Sequence, residues 1–174
     1  MKRLITLGLL AFPCLCLLSM SRLRAAPPEL QVVATDKAEI QRLIDHWTKA
    51  IHDKDIDGIM SVYAPEVVVF DIVPPLQYKG KDAYRIDYTK SLDLYKAPID
   101  TEIRDLTITT GDTVAFSRSI QHLSGSLKNG EKSELWMRVT DCYRKINGKW
   151  LVVHEHISVP ADFETGKAVL DLKP

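Results

Sequence analysis

The sequence predicts an α+β domain in which an antiparallel sheet carries helices on one face. Three observations predict it: helical spacing of apolar residues through the first third of the mature chain, a change to period two after Pro98, and tight-turn chemistry between the later segments. Helices first and long strands afterwards, with no internal repeat and no low-complexity tract, describe one domain rather than a chain of βαβ units.

The first 26 residues stand apart. A basic start (Met1–Lys2–Arg3), an apolar run over 4–20 and the small residues Ala25 and Ala26 follow the order of a secretory signal, with cleavage near Ala25 or Ala26. The expected destination is therefore secreted or periplasmic, and a retained membrane anchor is the alternative, although 17 apolar residues are short for a span. Without 1–26 the domain is 27–174, and it needs no membrane. Of 23 Lys and Arg, four leave and no acid does, so 19 face 23 Asp and Glu and the balance becomes −4. A mildly acidic chain without a basic run excludes nucleic acid as the expected partner. Cys142 alone survives cleavage, which excludes an internal disulfide framework.

The mature chain opens with PPELQVVAT, which reads as an extended leader. Asp36 with Glu39 three residues later resembles a capping box, and Ile40, Leu43, Ile44, Trp47, Ala50 and Ile51 continue at helical spacing, predicting a helix over 36–52. A short helix over 55–63 carries Ile56, Ile59, Met60 and Tyr63. APEVVVFDIV turns extended and ends at the two prolines. A third helix follows near 81–95, with Tyr84, Tyr88 and Leu92 four apart. Strands are predicted at 99–110, 113–123, 133–145 and 149–159, joined by TGDT, the longer GSLKNGEK and NGK.

Several motifs fail on their chemistry. DKDIDG (53–58) opens like a calcium loop, but the twelfth position is Ala64 where a bidentate glutamate is needed, so it reads as a polar helix connection. Cys142 has no activating base and reads as a small hydrophobe. His154 and His156 share one side of a strand, yet no third ligand stands at a recognisable spacing, so no metal and no cofactor is expected. Their face, which also takes Trp150, Val152 and Ser158, suits subunit contact.

Charges in phase with apolar series carry more information. Asp141 interrupts Leu135, Met137, Val139 and Tyr143; Glu155 interrupts Leu151, Val153, Ile157 and Val159; Arg118 interrupts Val114, Phe116, Ile120 and His122; Asp71 follows Val67 and Val69. Four strands thus each put one ionisable group on the expected core face. They are either interior ion pairs, such as Arg118 with Glu155 or Asp141, or polar groups converging on a cavity.

The stretches AIHDKDIDGIMSVYAPEVVVFDIVPP, YKGKDAYRIDY and LWMRVTDCYRKINGKWLVVHEHISVP resemble the nuclear transport factor 2-like superfamily, in its SnoaL-like and ketosteroid isomerase-like branch. The resemblance spans the mature chain. It implies a cystatin-like cone, a curved antiparallel sheet wrapped around about three N-terminal helices, dimeric through the outer sheet face. It also implies Asp71 as the general base and Asp141 as the acid or hydrogen-bond donor. The first-helix tyrosine of that family falls at Trp47, a departure from the isomerase pattern. The end of the chain is also similar to the association domain of calcium/calmodulin-dependent kinase, whose cavity carries arginines, and Arg118 matches one of these. Two expectations follow for a small-molecule pocket. One is cofactor-free isomerisation, dehydration or cyclisation of a small apolar carbonyl compound. There Arg118 and Glu155 contact the substrate, and Trp47, Tyr63, Tyr84, Tyr88 and Met137 form the walls. The other is a homodimeric binding or association module with the same pocket and no turnover.

Overall fold

The computed structural model describes residues 28–174, so the expected signal segment lies outside the described residues. Helix α1 spans Pro28–Asp53, α2 Ile56–Ser61 and α3 Lys81–Asp93. Strands β1 (Tyr63–Phe70), β2 (Tyr78–Lys79), β3 (Tyr95–Thr110), β4 (Val114–Leu127), β5 (Lys132–Ile146) and β6 (Lys149–Ser158) form one open sheet in the order β2-β1-β6-β5-β4-β3. A small ribbon, β7 (Ala161–Asp162) with β8 (Lys167–Ala168), follows. All pairings are antiparallel except β1 with β6, which run parallel. A parallel neighbour needs a long crossover, and here everything from β2 to β5 supplies it.

The leader is helical rather than extended: α1 starts at Pro28, whose fixed φ suits a first helical turn. Asp36 is consequently a mid-helix residue and caps nothing. Its side chain is 3% exposed, and Oδ1 accepts hydrogen bonds from Lys145 Nζ (2.7 Å) and Trp150 Nε1 (3.0 Å). That ties the helix to the β5–β6 hairpin. Ile40, Ile44, Ala50 and Ile51 turn inward as the spacing predicts. The calcium-like motif proves to be helix punctuation. Asp55 caps α2 by accepting from the Gly58 N–H at 3.0 Å, and a Cβ at Gly58 would lie 2.5 Å from Asp55 Oδ2.

The meander follows the predicted turns closely. Asn147 (φ 51°) and Gly148 (φ 78°) both take left-handed backbone, the geometry that a two-residue hairpin needs. Bulges interrupt β1–β6, β3–β4 and β5–β6, and such insertions bend a sheet. Helix α1 packs across β3 and touches β6, while α3 lies against β1 and β3. Between these helices and the concave face lies the core of Ile59, Met60, Tyr63, Val67, Val69, Tyr84, Ile99 and Tyr143.

Two facings differ from expectation. On β4 the buried series is Ala115, Ser117, Ser119 and Gln121, so Arg118 points from the convex face with Val114 and Phe116. The apolar series predicts the core face, but the concave side here takes small polar groups. On β6 the register slips at Val153: Tyr143 pairs with Val152 and Cys142 with His154. A one-residue slip exchanges the faces. Trp150 and Val152 are therefore buried instead of sharing an outer face with His154 and His156.

Candidate functional site

Two connected spaces open on the concave side. The larger cavity holds about 280 Å³ between α1, α3 and β3–β6, walled by Trp47, Ile51, Tyr84, Tyr88, Leu92, Leu123, Met137 and Ile157. Behind it a chamber of about 20 Å³ is lined by Leu43, Tyr63, Asp141, Tyr143 and Val152, and shares Trp47, Gln121 and Glu155 with the cavity. Such a chamber has room for a single water. No Lys, Arg or His lines either space among the described residues.

Asp71 stands one residue past β1, where the chain leaves the sheet, and lines the larger cavity. The expected strand to Val73 ends at Phe70. Its Oδ1 accepts from the Ile72 N–H at 2.6 Å, and its Oδ2 lies 3.2 Å from the Tyr84 hydroxyl oxygen. Burial raises this carboxyl above the usual range, and the charge of Asp87 adds to the effect.

Asp141 and Glu155 are direct cross-strand partners on β5 and β6. Glu155 accepts from Tyr63 at 3.0 Å on Oε1 and from Tyr84 at 2.6 Å on Oε2. Asp141 Oδ2 accepts from Ser117 (3.3 Å) and Tyr143 (3.2 Å), and Glu155 stands directly across from Asp141 on the neighbouring strand. Among the described residues Asp141 Oδ1 is buried without a hydrogen-bond partner, and Glu155, its cross-strand neighbour, is placed to bring it a proton. Burial pushes Asp141 up to about 6. Burial first, and the Asp141 charge second, pushes Glu155 well above the carboxylate range. Two adjacent buried carboxyls beside spaces that no Lys, Arg or His lines among the described residues keep one proton between them at neutral pH.

Tyrosines surround the pair. Tyr63 and Tyr88 hydroxyls lie 3.2 Å apart, and Trp47 Nε1 donates to Tyr88 at 3.3 Å. The indole N–H is thus directed at a neighbour. Burial raises the Tyr63, Tyr84 and Tyr143 phenols far above their ordinary value, so they remain hydrogen-bond donors.

Of the residues expected at a pocket, Asp71, Trp47, Tyr84, Tyr88, Met137 and Glu155 line the cavity, and Tyr63 and Asp141 line the chamber. Arg118 does neither; it projects from the opposite face of β4, beside Thr140 of β5. Sequence reasoning missed Ser117, Gln121 and Asp87, and did not separate Tyr143 from its apolar series. The alternation of Ser117, Ser119 and Gln121 was visible, but it looked like a solvent face. His154 and His156 pack edge-on against Phe70 at 4.8 and 5.8 Å. No cluster of three metal-ligating side chains occurs among the described residues.

The model of the SnoaL-like domain family matches residues 40–162. A nuclear transport factor 2-like protein of unknown function from Pseudomonas putida KT2440 is 36% identical, with 81% of this chain and 98% of that one covered and a TM-score of 0.74. A candidate calcium/calmodulin-dependent protein kinase II association domain from Xanthomonas campestris is 26% identical over 69% of this chain and 84% of that one, TM-score 0.62. A ketosteroid isomerase-like protein from Erwinia carotovora atroseptica shares the fold at 21% identity, 70% and 93% coverage and TM-score 0.60. No curated protein matches the chain.

Proposed function

The chain belongs to the SnoaL-like family, within the nuclear transport factor 2-like superfamily, and from that premise we propose that it performs cofactor-free acid–base chemistry on a small apolar carbonyl compound. One observation carries the reading: a buried carboxyl pair lies beside an apolar cavity that no Lys, Arg or His lines among the described residues, and that Asp71 and Asp87 also line. Environments that separate the proton affinities of neighbouring carboxyls assign the acid and the base. Asp71, at the rim, removes a proton next to the ligand carbonyl. Glu155, which lines the cavity, gives the proton it shares with Asp141 to the oxygen on which charge develops, and the Tyr63 and Tyr84 hydroxyls stabilise the carboxylate left behind. The walls of Trp47, Tyr88 and Met137 take the apolar body of the ligand.

The test is exchange of ketone α-hydrogens for deuterium, followed by proton NMR with cyclohexanone and cyclopent-2-enone as probes. The native protein accelerates exchange, and Asp71→Asn lowers the rate by about 10²–10⁴-fold. An unchanged rate in that variant ends the reading.

The non-catalytic alternative relied on an arginine in the cavity, and Arg118 does not line it. What still favours it is the Trp47 N–H, already engaged by Tyr88. On that reading a ligand raises the melting temperature and is recovered unaltered. Export and a homodimer formed through the convex sheet face complete the proposal. Native mass spectrometry of protein from its own host reads the mature mass and the subunit count together.

A further inference from the structure

We propose that Tyr84 is a proton bridge: a proton taken up by Asp71 at the cavity rim passes through the Tyr84 hydroxyl to the Asp141–Glu155 pair, which stores it and returns it by the same route. Its use in turnover rests on the acid–base reading above, but the bridge itself is a property of the ligand-free protein.

The geometry is that of a single hydroxyl between two carboxyls. Tyr84 Oη lies 2.6 Å from Glu155 Oε2 and 3.2 Å from Asp71 Oδ2. A phenol has one hydrogen to give and lone pairs to receive, so it can donate to one carboxyl while accepting from the other. The ring cannot swing away. It is 1% exposed and held edge-on to Tyr63 (centroids 5.4 Å apart) and tilted against Tyr88 (4.7 Å).

The second branch at Glu155 does not conduct. It runs through Tyr63 and Tyr88 to the Trp47 indole, which donates a hydrogen bond but cannot accept one. Beyond Glu155 the line continues one step, to its cross-strand neighbour Asp141, whose buried Oδ1 has no hydrogen-bond partner among the described residues. There it ends in the interior, because Ser117 and Tyr143, whose hydroxyls meet Oδ2, are themselves only 1% exposed. A path that opens at the ligand and closes on an interior acceptor is a store rather than an exit to solvent.

The transfer balances. Asp71 as the acid gives its proton to Tyr84 Oη while the Tyr84 proton moves to Glu155 Oε2 and the Glu155 proton moves to Asp141 Oδ1. Asp71 ends as carboxylate, Tyr84 as phenol, and both buried carboxyls are neutral. Burial keeps the Tyr84 phenol far above its ordinary range, so the moves are concerted and no phenolate accumulates. The charged and titratable neighbours are Asp87, Tyr78 and His156 for Asp71, Tyr63 and Tyr88 for Glu155, and Tyr143, Cys142 and His154 for Asp141. Asp71 is half-exposed and would otherwise surrender its proton to water. A stored proton can be delivered to a second atom of the same ligand.

Carboxyl-carbon NMR titration of the ligand-free protein tests the bridge. With Tyr84 present, Glu155→Gln moves the Asp71 midpoint by about one pH unit; in the Tyr84→Phe background the same change moves it by less than about half as much. Equal shifts in both backgrounds mean that the two carboxyls sense each other only through the field, and the proposal falls. It falls also if Glu155→Gln leaves Asp71 unmoved. Should Tyr84→Phe not fold, Asp71→Asn reads the bridge from its other end. The Glu155 and Asp141 signals must then move, and unmoved signals overturn the proposal. Ketone exchange without this coupling would retain the acid–base reading and discard the bridge; coupling without exchange would do the reverse.

Discussion

The two faces of β4 are built from opposite materials. The convex face shows solvent Val114 (60% exposed) and Phe116 (45% exposed), whereas the concave face buries Ser117, Ser119 and Gln121. Its neighbour β5 does the usual thing, turning Leu135, Met137 and Val139 toward the cavity. The difference teaches that a face beside a cavity is chosen by side-chain volume and hydrogen bonding as much as by polarity. Small hydroxyls leave space open, and Ser117 supplies one of the donors on which Asp141 depends.

The largest expected effect concerns pH and breaks the concave side. The native state holds Asp141 up to about 6 against an ordinary 3.8, so between those values it binds protons that the unfolded chain has released. Its contribution is fully favourable below pH 3.8 and is lost as pH rises toward 6, on the order of 3 kcal/mol. Urea unfolding across this window should show a fall in stability that Asp141→Asn reduces, Glu155 keeping its own share because burial raises it independently. A variant whose curve keeps the native slope would mean that Asp141 is not proton-loaded in the fold.

Next comes Ser117→Leu, which fills a site 1% exposed and deletes a donor to Asp141. A loss of about 1–3 kcal/mol in chemical denaturation is expected from overpacking. If leucine is tolerated without loss, the concave face of β4 is not limited by volume.

The convex side gives smaller numbers. Arg104 sits 4.7 Å over the Trp136 ring, which stacks on His122 at 4.5 Å. Arg104→Ala should lower stability by about 0.5–1 kcal/mol in the same denaturation assay. Phe116→Ser, one residue from the Ser117 test but facing outward, should change the stability of the monomer by no more than about 0.5 kcal/mol. A loss as large as that of Ser117→Leu would erase the distinction between the faces.

Much of this was readable in advance, for identifiable reasons. Ile40, Ile44 and Ile51 announced α1 because one long amphipathic face is a repeated signal, and Asn147–Gly148 fixed the last hairpin because few residues accept that backbone. The bulge at Val153 was not readable, since nothing in LVVHEH marks which residue will be left unpaired, and it reversed the facing of Trp150. Arg118 was misassigned for a related reason: apolar residues on an outer face imitate a core series. Asp36 looked like a cap because its partners, Lys145 and Trp150, are far away in sequence. Asp71 and Glu155 could each be suspected alone, but the hydroxyl that joins them belongs to a tyrosine whose spacing only said "buried".

The parallel pairing of β1 with β6 has a consequence for the order of assembly. Strand β1 has only the two-residue β2 on its other side, so its one long neighbour is the last strand of the sheet to be synthesised. Tyr63 and Glu155, hydrogen-bonded in the finished protein, are 92 residues apart in the chain. Contacts of such separation form late, because the loop must close before the pairing rewards it. A nascent chain stopped before Lys149 holds the cavity's other walls in its sequence but lacks Glu155, and with it one half of the carboxyl pair.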